Sequence, residues 1–589
     1  MGEKGQATHM VDMPMRQDHQ VDVRRAKAQQ AKPSTLKALA VYLERRSLVM
    51  LALGFASGLP NLLIFDTLSA WLRDAGLSLE VIAFFGLATL AYSLKFLWAP
   101  MVDRARIPGL TGWLGHRRSW MIVCQVLIMI GLWLIAGTNP AVNLGVMAGF
   151  AILVGFVSAT QDIVIDAWRI EAVETERAGA MAAAYQWGYR IAMIVAGVVP
   201  LAMSEFVGWN LSYALMAALM LVGIIGVLGA PREAQHIIRP IDTGDIPAAP
   251  VRDGLEWALR LALVVLAAMI LGSGLSGNPF LLQAGLEALG QTGASEAIKT
   301  LWEAKPAGVY AQVGSVVGGL GIVVLAILPV AGLPTRPGRF LFSALGEPLA
   351  NFFQRYSKTA GLILALICVY RLSDFVLNIM NPFYLDMGFS KLEIAEIRKV
   401  LGVVMSVAGV GLGGLAVARL GLMRALVIGA FAGPISNLVF AWLAVQGPQL
   451  WALSVAIGVD NIASGFSGTC LIAYMSSLTG QGFTATQYAL FSSLYALLGK
   501  LVASQSGRVV EGAAAAADGT GALSGLKSLF TALPPQAFGS AMEKSGVSAA
   551  ALGSGYVVFF VYSALIGVVG IILTFMVAAR SEPDGDQKD

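Results

Sequence analysis

Acidic side chains lie inside several of the long apolar stretches of this sequence. Asp162 and Asp166 are four residues apart, so they share one face of a helix. A polar stripe is formed by residues at steps of three and four, namely Arg371, Asp374, Asn378 and Asn381. A charge within lipid is costly unless it faces a partner or an aqueous cavity, where a carboxylate beside a cation can bind and release a proton. The predicted proton-coupling residues are Asp162, Asp374, Asp166 and Asp460.

Basic side chains in the same stretches could hold an anionic solute. At 1.5 Å per residue, Arg190, Arg371 and Asp460 each fall roughly 16–18 Å from a membrane face, close to the midplane. Arginine offers a planar, permanently charged fork that fits a carboxylate, whereas lysine offers a point charge. The alternative is that these charges pair with one another and lock helices together without touching a solute. The residues predicted from this pattern to bind a solute are Arg190, Arg371, Lys500, Asn378, Tyr185 and Tyr495.

The composition is that of a membrane protein. Hydrophobic residues make up 57% of the chain and charged residues 13%, against about 25% charged in soluble domains. The mean hydropathy is +0.71. The net charge of +4 does not indicate a nucleic-acid partner, and the three cysteines all fall in apolar stretches, which argues against disulfides. All four histidines fall in predicted tails or loops, and no HExxH motif is present, so we expect no metal, no cofactor and no membrane enzyme.

Fourteen apolar runs are long enough to cross a bilayer, which takes about 20 residues of helix. They form two sets of six, with two further runs between the sets, and predict an all-α polytopic membrane protein. The first set is 48–72, 79–102, 119–137, 142–165, 178–203 and 208–230, and the second is 360–382, 391–417, 422–444, 449–475, 484–510 and 554–579. The two inserted runs are 257–275 and 307–333.

The distribution of lysine and arginine predicts the orientation of these spans. Alternate loops are rich in basic residues, whereas the loops at 138–141, 204–208 and 445–449 contain none. Basic loops stay in the cytoplasm, so both termini are expected there. The predicted organisation is a cytoplasmic tail with an amphipathic lead-in helix at 1–47, a six-helix half at 48–230, a linker with the two inserted spans at 231–359, a second half at 360–579 and a cytoplasmic tail at 580–589.

The two six-helix sets repeat one another. After the first helix of each comes a turn with a serine-capped helix start, at Gly76–Ala83 and at Gly388–Ala395. The fifth span of each set has a tyrosine, a basic residue five positions on and a glycine seven further. Two such halves, rocking about a midplane site, resemble the major facilitator architecture and argue against a channel. The residues that resemble its cytoplasmic hinge loop are Asp103, Arg104, Arg117 and Arg118.

Several motifs resemble those of the AmpG-type muropeptide permeases, and the resemblance covers most of 48–230 and 340–510. The most specific is SATQDIVIDAW, at Ser158–Trp168. The others are Gly54–Leu72, Lys95–Arg104, Gly188–Arg190, Tyr370–Phe375 and Phe483–Leu494.

This resemblance implies the import of anhydromuropeptides from the periplasm to the cytoplasm by proton symport, in the recycling of peptidoglycan, with an influence on β-lactamase induction. It implies a monomer in the bacterial inner membrane, in contact with lipid, protons and a small-molecule cargo. The residues at its polar motif positions are Gln161, Asp162, Arg190, Asp374 and Lys500, and Gln487 lies within its FTATQYALFSSL motif.

Two features depart from the family pattern and leave other cargoes open. The two extra spans lie between the halves, and Asp66 is acidic where a small polar residue is expected. The alternative is a carrier of the same fold for another polar anion, such as a siderophore or an acetyl-CoA-like compound. A membrane enzyme or a channel is the more distant alternative.

Overall fold

The computed structural model describes most of the chain, and every regular element within the described residues is a helix. The predicted tail and the start of the lead-in helix, at residues 1–40, lie outside the described part. The described residues are 41–77, 90–172, 177–232, 246–276, 278–304, 307–329, 334–480, 482–503, 505–521, 523–534, 536–539 and 545–581.

The apolar runs of the N-terminal half form long helices, because a helix satisfies its own backbone hydrogen bonds in lipid. Helix α1 (Arg45–Leu62) continues through a π-helical turn at Leu63–Thr67 into α2 (Leu68–Asp74). Of the second predicted span, 79–102, the part from Leu90 onward is described. The other helices of this half are α3 (Leu90–Leu94), α4 (Ala99–Arg104), α5 (Leu110–Leu114), α6 (His116–Ala136), α7 (Leu144–Glu171), α8 (Ala178–Leu219) and α9 (Leu221–Gly229).

Helices α1 and α8 pack against each other through glycines. A methyl group on Gly54 would collide with the backbone carbonyl of Tyr185, and one on Gly188 would collide with the backbone carbonyl of Leu51. Small residues permit this close approach of two backbones within a membrane, where no hydrophobic force drives helices together. The contact fixes the register between the first and the fifth helix of the half.

The linker between the halves is largely helical. Helix α10 (Pro250–Ser276) pairs with α13 (Ala307–Ile327), with Gly274 against Val316 and Gly319 against Leu271. Arg260, the charge near one end of the first inserted run, is buried and forms an ion pair with Glu256 at 2.7 Å. The segment between the two inserted runs contains α11 (Phe280–Ala288) and α12 (Thr292–Glu303), and the linker ends with α14 (Arg336–Leu341) and α15 (Glu347–Tyr356).

The C-terminal half differs from the prediction at two of its spans. The run 360–382 is not one helix, because a 3-10 turn at Val376–Ile379 interrupts it. Irregular backbone within a membrane is tolerated where it lines a cavity, and charged residues precede this turn. The helices of this half are α16 (Ala360–Val369), α17 (Leu372–Phe375), α18 (Met380–Asp386), α19 (Lys391–Glu396), α20 (Val403–Leu420), α21 (Leu422–Gln446), α22 (Leu450–Ser477), α23 (Thr484–Ala503), α24 (Ser506–Asp518) and α25 (Ala549–Ser581).

The second difference concerns the predicted span 484–510. Helix α23 ends at Ala503, and Gly507 belongs to α24, whereas Gly197 lies within α8 itself. The pairing of these two glycines in the predicted repeat was therefore wrong, because the chain leaves the fifth helix of the C-terminal half before it reaches Gly507.

Ten helical stretches within the described residues are long and apolar enough to cross a membrane. One of them, Ala178–Gly229, is 52 residues long and turns at Gly208, whose φ of 79° suits glycine. This turn separates the predicted spans 178–203 and 208–230. The count of fourteen spans stays a prediction.

Both ends of the described chain lie at the same face of the helical body, which we call the tail face. The Arg45 side chain, at the start of α1, donates to the carbonyl of Gly229 at the end of α9. Near the end of α25, Val577 belongs to an apolar cluster against which Ile170, near the end of α7, also packs. Arg177, a few residues beyond α7, pairs with Glu44 next to Arg45. The first and last helices therefore begin and end on one side.

Candidate functional site

A cavity of about 800 Å³ lies between the two halves and is lined by charged side chains from both. Arg190 on α8 comes from the N-terminal half. Arg371, Asp374 and Asp460 come from the C-terminal half. The cavity therefore brings together four of the residues predicted to bind a solute or a proton, and it holds charges of both signs.

The cavity extends to the face opposite the tail face. Tyr384 near the end of α18 and Ile394 in α19 line it, as does Arg398 in the following π-helical turn. Arg398 and Asp66 are both exposed. Solute on that side can therefore reach Arg190 and Arg371.

Arg371 is held by its own half. Its Nε donates to Asp374 Oδ2 at 2.8 Å, and its Nη2 donates to Ser464 Oγ at 2.8 Å. The hydroxyl of Tyr495 lies 3.5 Å from its Nη1. Asp460 accepts a hydrogen bond from Ser436 at 3.3 Å. This network neutralises Arg371 in part and fixes its orientation.

Arg190 differs from Arg371 in its contacts. Within the described residues, no hydrogen bond or ion pair engages its guanidinium, although Arg371 and Asp460 are near enough to interact with it electrostatically. Two guanidinium groups that face one cavity repel each other unless an anion lies between them. The arrangement is therefore suited to an anionic group.

A second polar cluster lies buried between α1, α7 and α8. The hydroxyl of Ser57 donates to Asp162 Oδ1 at 2.5 Å and lies 2.9 Å from the hydroxyl of Tyr185. Because Ser57 has one hydroxyl hydrogen, Tyr185 is the donor in the second bond. The chain Tyr185–Ser57–Asp162 is a continuous path of hydrogen bonds. Neither Asp162 nor Tyr185 is among the residues that line the cavity.

Asp166 is paired with two cations, one helical turn from Asp162. Arg169 Nη2 lies 3.1 Å from its Oδ1, and Lys95 Nζ lies 3.8 Å from its Oδ2. Arg169 also donates to Ser476 of the C-terminal half at 2.9 Å. Asp166 thus contributes to a contact between the halves.

Three other predicted solute ligands make contacts within the protein and do not line this cavity. The Lys500 ammonium donates to Ser93 at 2.9 Å, across the boundary between the halves. Gln161 donates to the carbonyl of Ala56, and Gln487 donates to that of Pro348. The side chain of Asn378 lies outside the described part of the structure.

The predicted hinge residues close the tail face. Arg117 is completely buried and lies 2.7 Å from both Asp103 and Glu171. Asp103 also accepts hydrogen bonds from the start of α23 in the C-terminal half. Arg104 donates to the carbonyl of Ser343 in the linker, and Arg118 donates to that of Val227. The two halves are therefore in direct contact at the tail face.

Asp66, Asn381 and Arg398 also line the cavity and were not among the predicted ligands, although Asn381 was recognised as part of the polar stripe. Arg398 donates to Asn381 Oδ1. Asn381 continues the Arg371 stripe at helical spacing, which was the available signal. Arg398 lies near the start of its predicted span, where a basic residue is ordinarily interfacial, so its type gave no signal.

An apolar cavity of about 520 Å³ lies at one side of the body. Helix α13 lines it with Leu320 and Val323, the N-terminal half contributes Phe96, and α23 contributes Leu490 and Leu497. This cavity places the inserted pair of helices beside the boundary between the two halves.

Two helical halves with a charged cavity between them, closed at one face, have the architecture of a membrane transporter. Residues 94–504 match the family model of the Major Facilitator Superfamily. The chain is 30% identical over 462 residues to the anhydromuropeptide permease of Escherichia coli K12, covering 78% of this chain and 73% of that protein. It is 28% identical over 473 residues to a Rickettsia conorii protein named as transporter AmpG 4, covering 80% and 91%.

A solved structure with a similar chain course is that of the proton:xylose symporter XylE, at 12% identity and a TM-score of 0.49, covering 92% of this chain and 95% of that one. The family match and the relatives agree with the motifs in the sequence. The chain belongs to the Major Facilitator Superfamily and, within it, to the AmpG-type permease family. It is a multi-pass membrane transporter and not an enzyme.

Proposed function

We propose that this protein imports anhydromuropeptides from the periplasm to the cytoplasm by proton symport, for peptidoglycan recycling. The observation that carries the proposal is the midplane cavity, in which Arg190 and Arg371 face one another from opposite halves. A relative that is 30% identical is named an anhydromuropeptide permease, which supports this choice of cargo.

The cargo would bind through carboxylates of its stem peptide. Burying an unpaired neutral polar group costs roughly 2–7 kcal/mol, and burying an unpaired anion costs more. Arg190, which has no ion-pair partner among the described residues, is the principal ligand in this proposal. Arg371 is already paired with Asp374, so in this proposal it is the weaker ligand, on the wall formed by the C-terminal half. Lys500, which contacts Ser93, acts at the boundary between the halves.

Asp162 is the residue that we propose as the proton carrier. It accepts from Ser57 and lies in a buried cluster, where a proton would be exchanged as the halves rock. Asp374 is the second candidate, because cargo binding would compete for its partner Arg371. Asp166 is paired with two cations and Asp460 faces the cavity, so they rank behind these two.

The proposed topology has fourteen spans, with the tail face in the cytoplasm. Both termini would then be cytoplasmic, and the cavity would open to the periplasm. The domain organisation is that predicted above, with two six-helix halves joined by a linker that crosses the membrane twice. The protein would act as a monomer in the bacterial inner membrane, with lipid at its apolar surface.

Uptake into right-side-out vesicles tests the proposal. Labelled anhydromuropeptide should accumulate in right-side-out vesicles that contain the protein when the outside is more acidic, and a protonophore should abolish that accumulation. A siderophore or an acetyl-CoA-like anion, offered to the same vesicles, serves as the comparison. Accumulation of either anion in place of the muropeptide would show that the muropeptide is not the cargo, and it would leave the family assignment unchanged.

A further inference from the structure

Asp66 is an unusual residue in the cavity wall. It lies in the π-helical turn Leu63–Thr67 at the end of α1 and is exposed to the cavity. Within the described residues, no ion pair or hydrogen bond to its carboxylate is present. The N-terminal half therefore presents one anion and one cation to the same cavity, Asp66 and Arg190, and neither forms an ion pair with any residue that the structure describes.

The packing of α1 on α8 shows how these two residues are placed along the helix axes. Gly54 lies against Tyr185, and further along Gly58 lies against Tyr189. At the far end, the hydroxyl of Thr67 donates to the carbonyl of Ala196 at 2.8 Å. The two helices therefore run side by side in the same direction.

Because Thr67 contacts Ala196, Asp66 lies level with the residues around Ala196, five to seven positions beyond Arg190. At 1.5 Å per residue, the backbone positions of Asp66 and Arg190 are about 8–10 Å apart along the helix axes. Arg190 lies deeper, toward the midplane, and Asp66 lies nearer to the open face.

We infer that Asp66 binds an ammonium group of the cargo while Arg190 binds a carboxylate, so that the site selects solutes that carry both charges. A stem peptide that contains a diamino acid carries such a free ammonium beside its carboxylates. The inference rests on the proposed cargo and adds to it the part of the cargo that is recognised.

The facing wall is consistent with this division. Near Arg190 it presents Arg371, whose positive charge favours an anion there. Near the open face, Arg398 of the C-terminal half donates a hydrogen bond to Asn381, whereas Asp66 lies on the wall formed by the N-terminal half. An ammonium at Asp66 would pair with a carboxylate that has no ion-pair partner among the described residues.

The test compares two ligands on the full-length protein in lipid nanodiscs. One is an anhydromuropeptide whose stem peptide contains a diamino acid with a free amine, and the other is the same compound with that amine acetylated. We expect wild type to bind the free amine about tenfold more tightly, and Asp66→Asn to bind both equally. The matched control is Asp74→Asn on α2, because Asp74 accepts a hydrogen bond from Trp209 outside the cavity and an asparagine can still accept it.

Each other outcome overturns the inference in a distinguishable way. If wild type binds both ligands equally, or if Asp66→Asn weakens both by the same factor, Asp66 does not recognise an ammonium, and the muropeptide cargo stands. If wild type binds neither ligand while it binds another anion, the proposed cargo is wrong, and the ammonium site is rejected with it.

Discussion

Asp103 of the N-terminal half accepts two hydrogen bonds from Thr486 of the C-terminal half, one from its hydroxyl at 2.7 Å and one from its backbone amide at 2.9 Å. Thr486 lies in the first turn of α23, where backbone amides have no partner within the helix and favour a negative charge. The same carboxylate is paired with Arg117. One residue thus joins the two halves at the tail face.

Asp103→Asn should weaken the closure of the tail face. The change removes a buried charge that accepts hydrogen bonds, each worth about 1.5–3 kcal/mol. Spin labels at the exposed positions Gly112 and Lys358 should show a larger fraction of long distances than in wild type. Thr486→Val, which removes the hydroxyl and keeps the amide, should give a smaller shift. Identical distance distributions for all three proteins would exclude a role for Asp103 in the closure.

Arg190→Lys should weaken cargo binding about tenfold, equivalent to about 1.4 kcal/mol, because it keeps the charge and loses the planar fork. Arg190→Ala should weaken binding further. Equilibrium binding to purified protein measures both, and the thermal unfolding midpoint serves as the control for folding. Transport at the wild-type rate by Arg190→Ala and Lys500→Ala, with normal expression, would show that these cations are structural.

Asp162→Asn should abolish accumulation of cargo against a gradient and spare exchange of cargo across the membrane. The amide has no titratable proton, although it can still accept the hydrogen bond from Ser57. Uptake and counterflow in the same vesicles separate the two activities. Asp374→Asn is the parallel variant, and proton-driven accumulation by both variants would place the coupling residue elsewhere.

Gly188→Ala should destabilise the protein by about 1–3 kcal/mol, because the methyl group would collide with the carbonyl of Leu51. Gly149→Ala on α7 is the matched control, since no atom lies within 4 Å of the added carbon. Thermal unfolding in detergent should show a lower midpoint for the first variant alone. Equal midpoints would mean that the α1–α8 contact is less tight than the structure indicates.

The segment between the inserted helices should lie in the periplasm. Helices α10 and α13 are each long and apolar enough to cross the membrane, with exposed side chains such as Leu261 and Val317. A reporter inserted at Gly290, in the turn between α11 and α12, should give a periplasmic signal, and one fused after Arg580 should give a cytoplasmic signal. A cytoplasmic signal at Gly290 would reject the fourteen-span topology.

The helices were predictable from the sequence because their determinant is local. A run such as Leu144–Glu171 is apolar over the length of a bilayer, and few other structures are possible in lipid. The helix interruption near Val376 could not be predicted from the sequence, because the charged and apolar residues there keep helical spacing. The interruption depends on the cavity that the neighbouring helices form.

The candidate site was predictable in its residue types and less so in its partners. Arg190 and Arg371 were predicted to bind a solute because a charge in an apolar run is rare, and both line the cavity. Lys500 contacts Ser93 and not the cavity because of how α23 is rotated against the N-terminal half. The periodicity of a single helix does not predict that rotation. Arg398 and Asp66 line the cavity because the tertiary structure brings the ends of their helices together, and this arrangement is not encoded in either local sequence.

The position of the inserted helices makes the two sides of the transporter unequal. The halves meet along two seams, one where Lys500 of α23 reaches Ser93 and one where Trp187 of α8 donates to the carbonyl of Val407. Helix α13 lies beside the first seam and shares an apolar cavity with it. The inserted helices therefore flank one seam, whereas Tyr42 of the lead-in segment packs on the Trp187 ring at the other. The two seams have different neighbours, so the pseudo-twofold relation predicted for the halves does not extend to the segments around them.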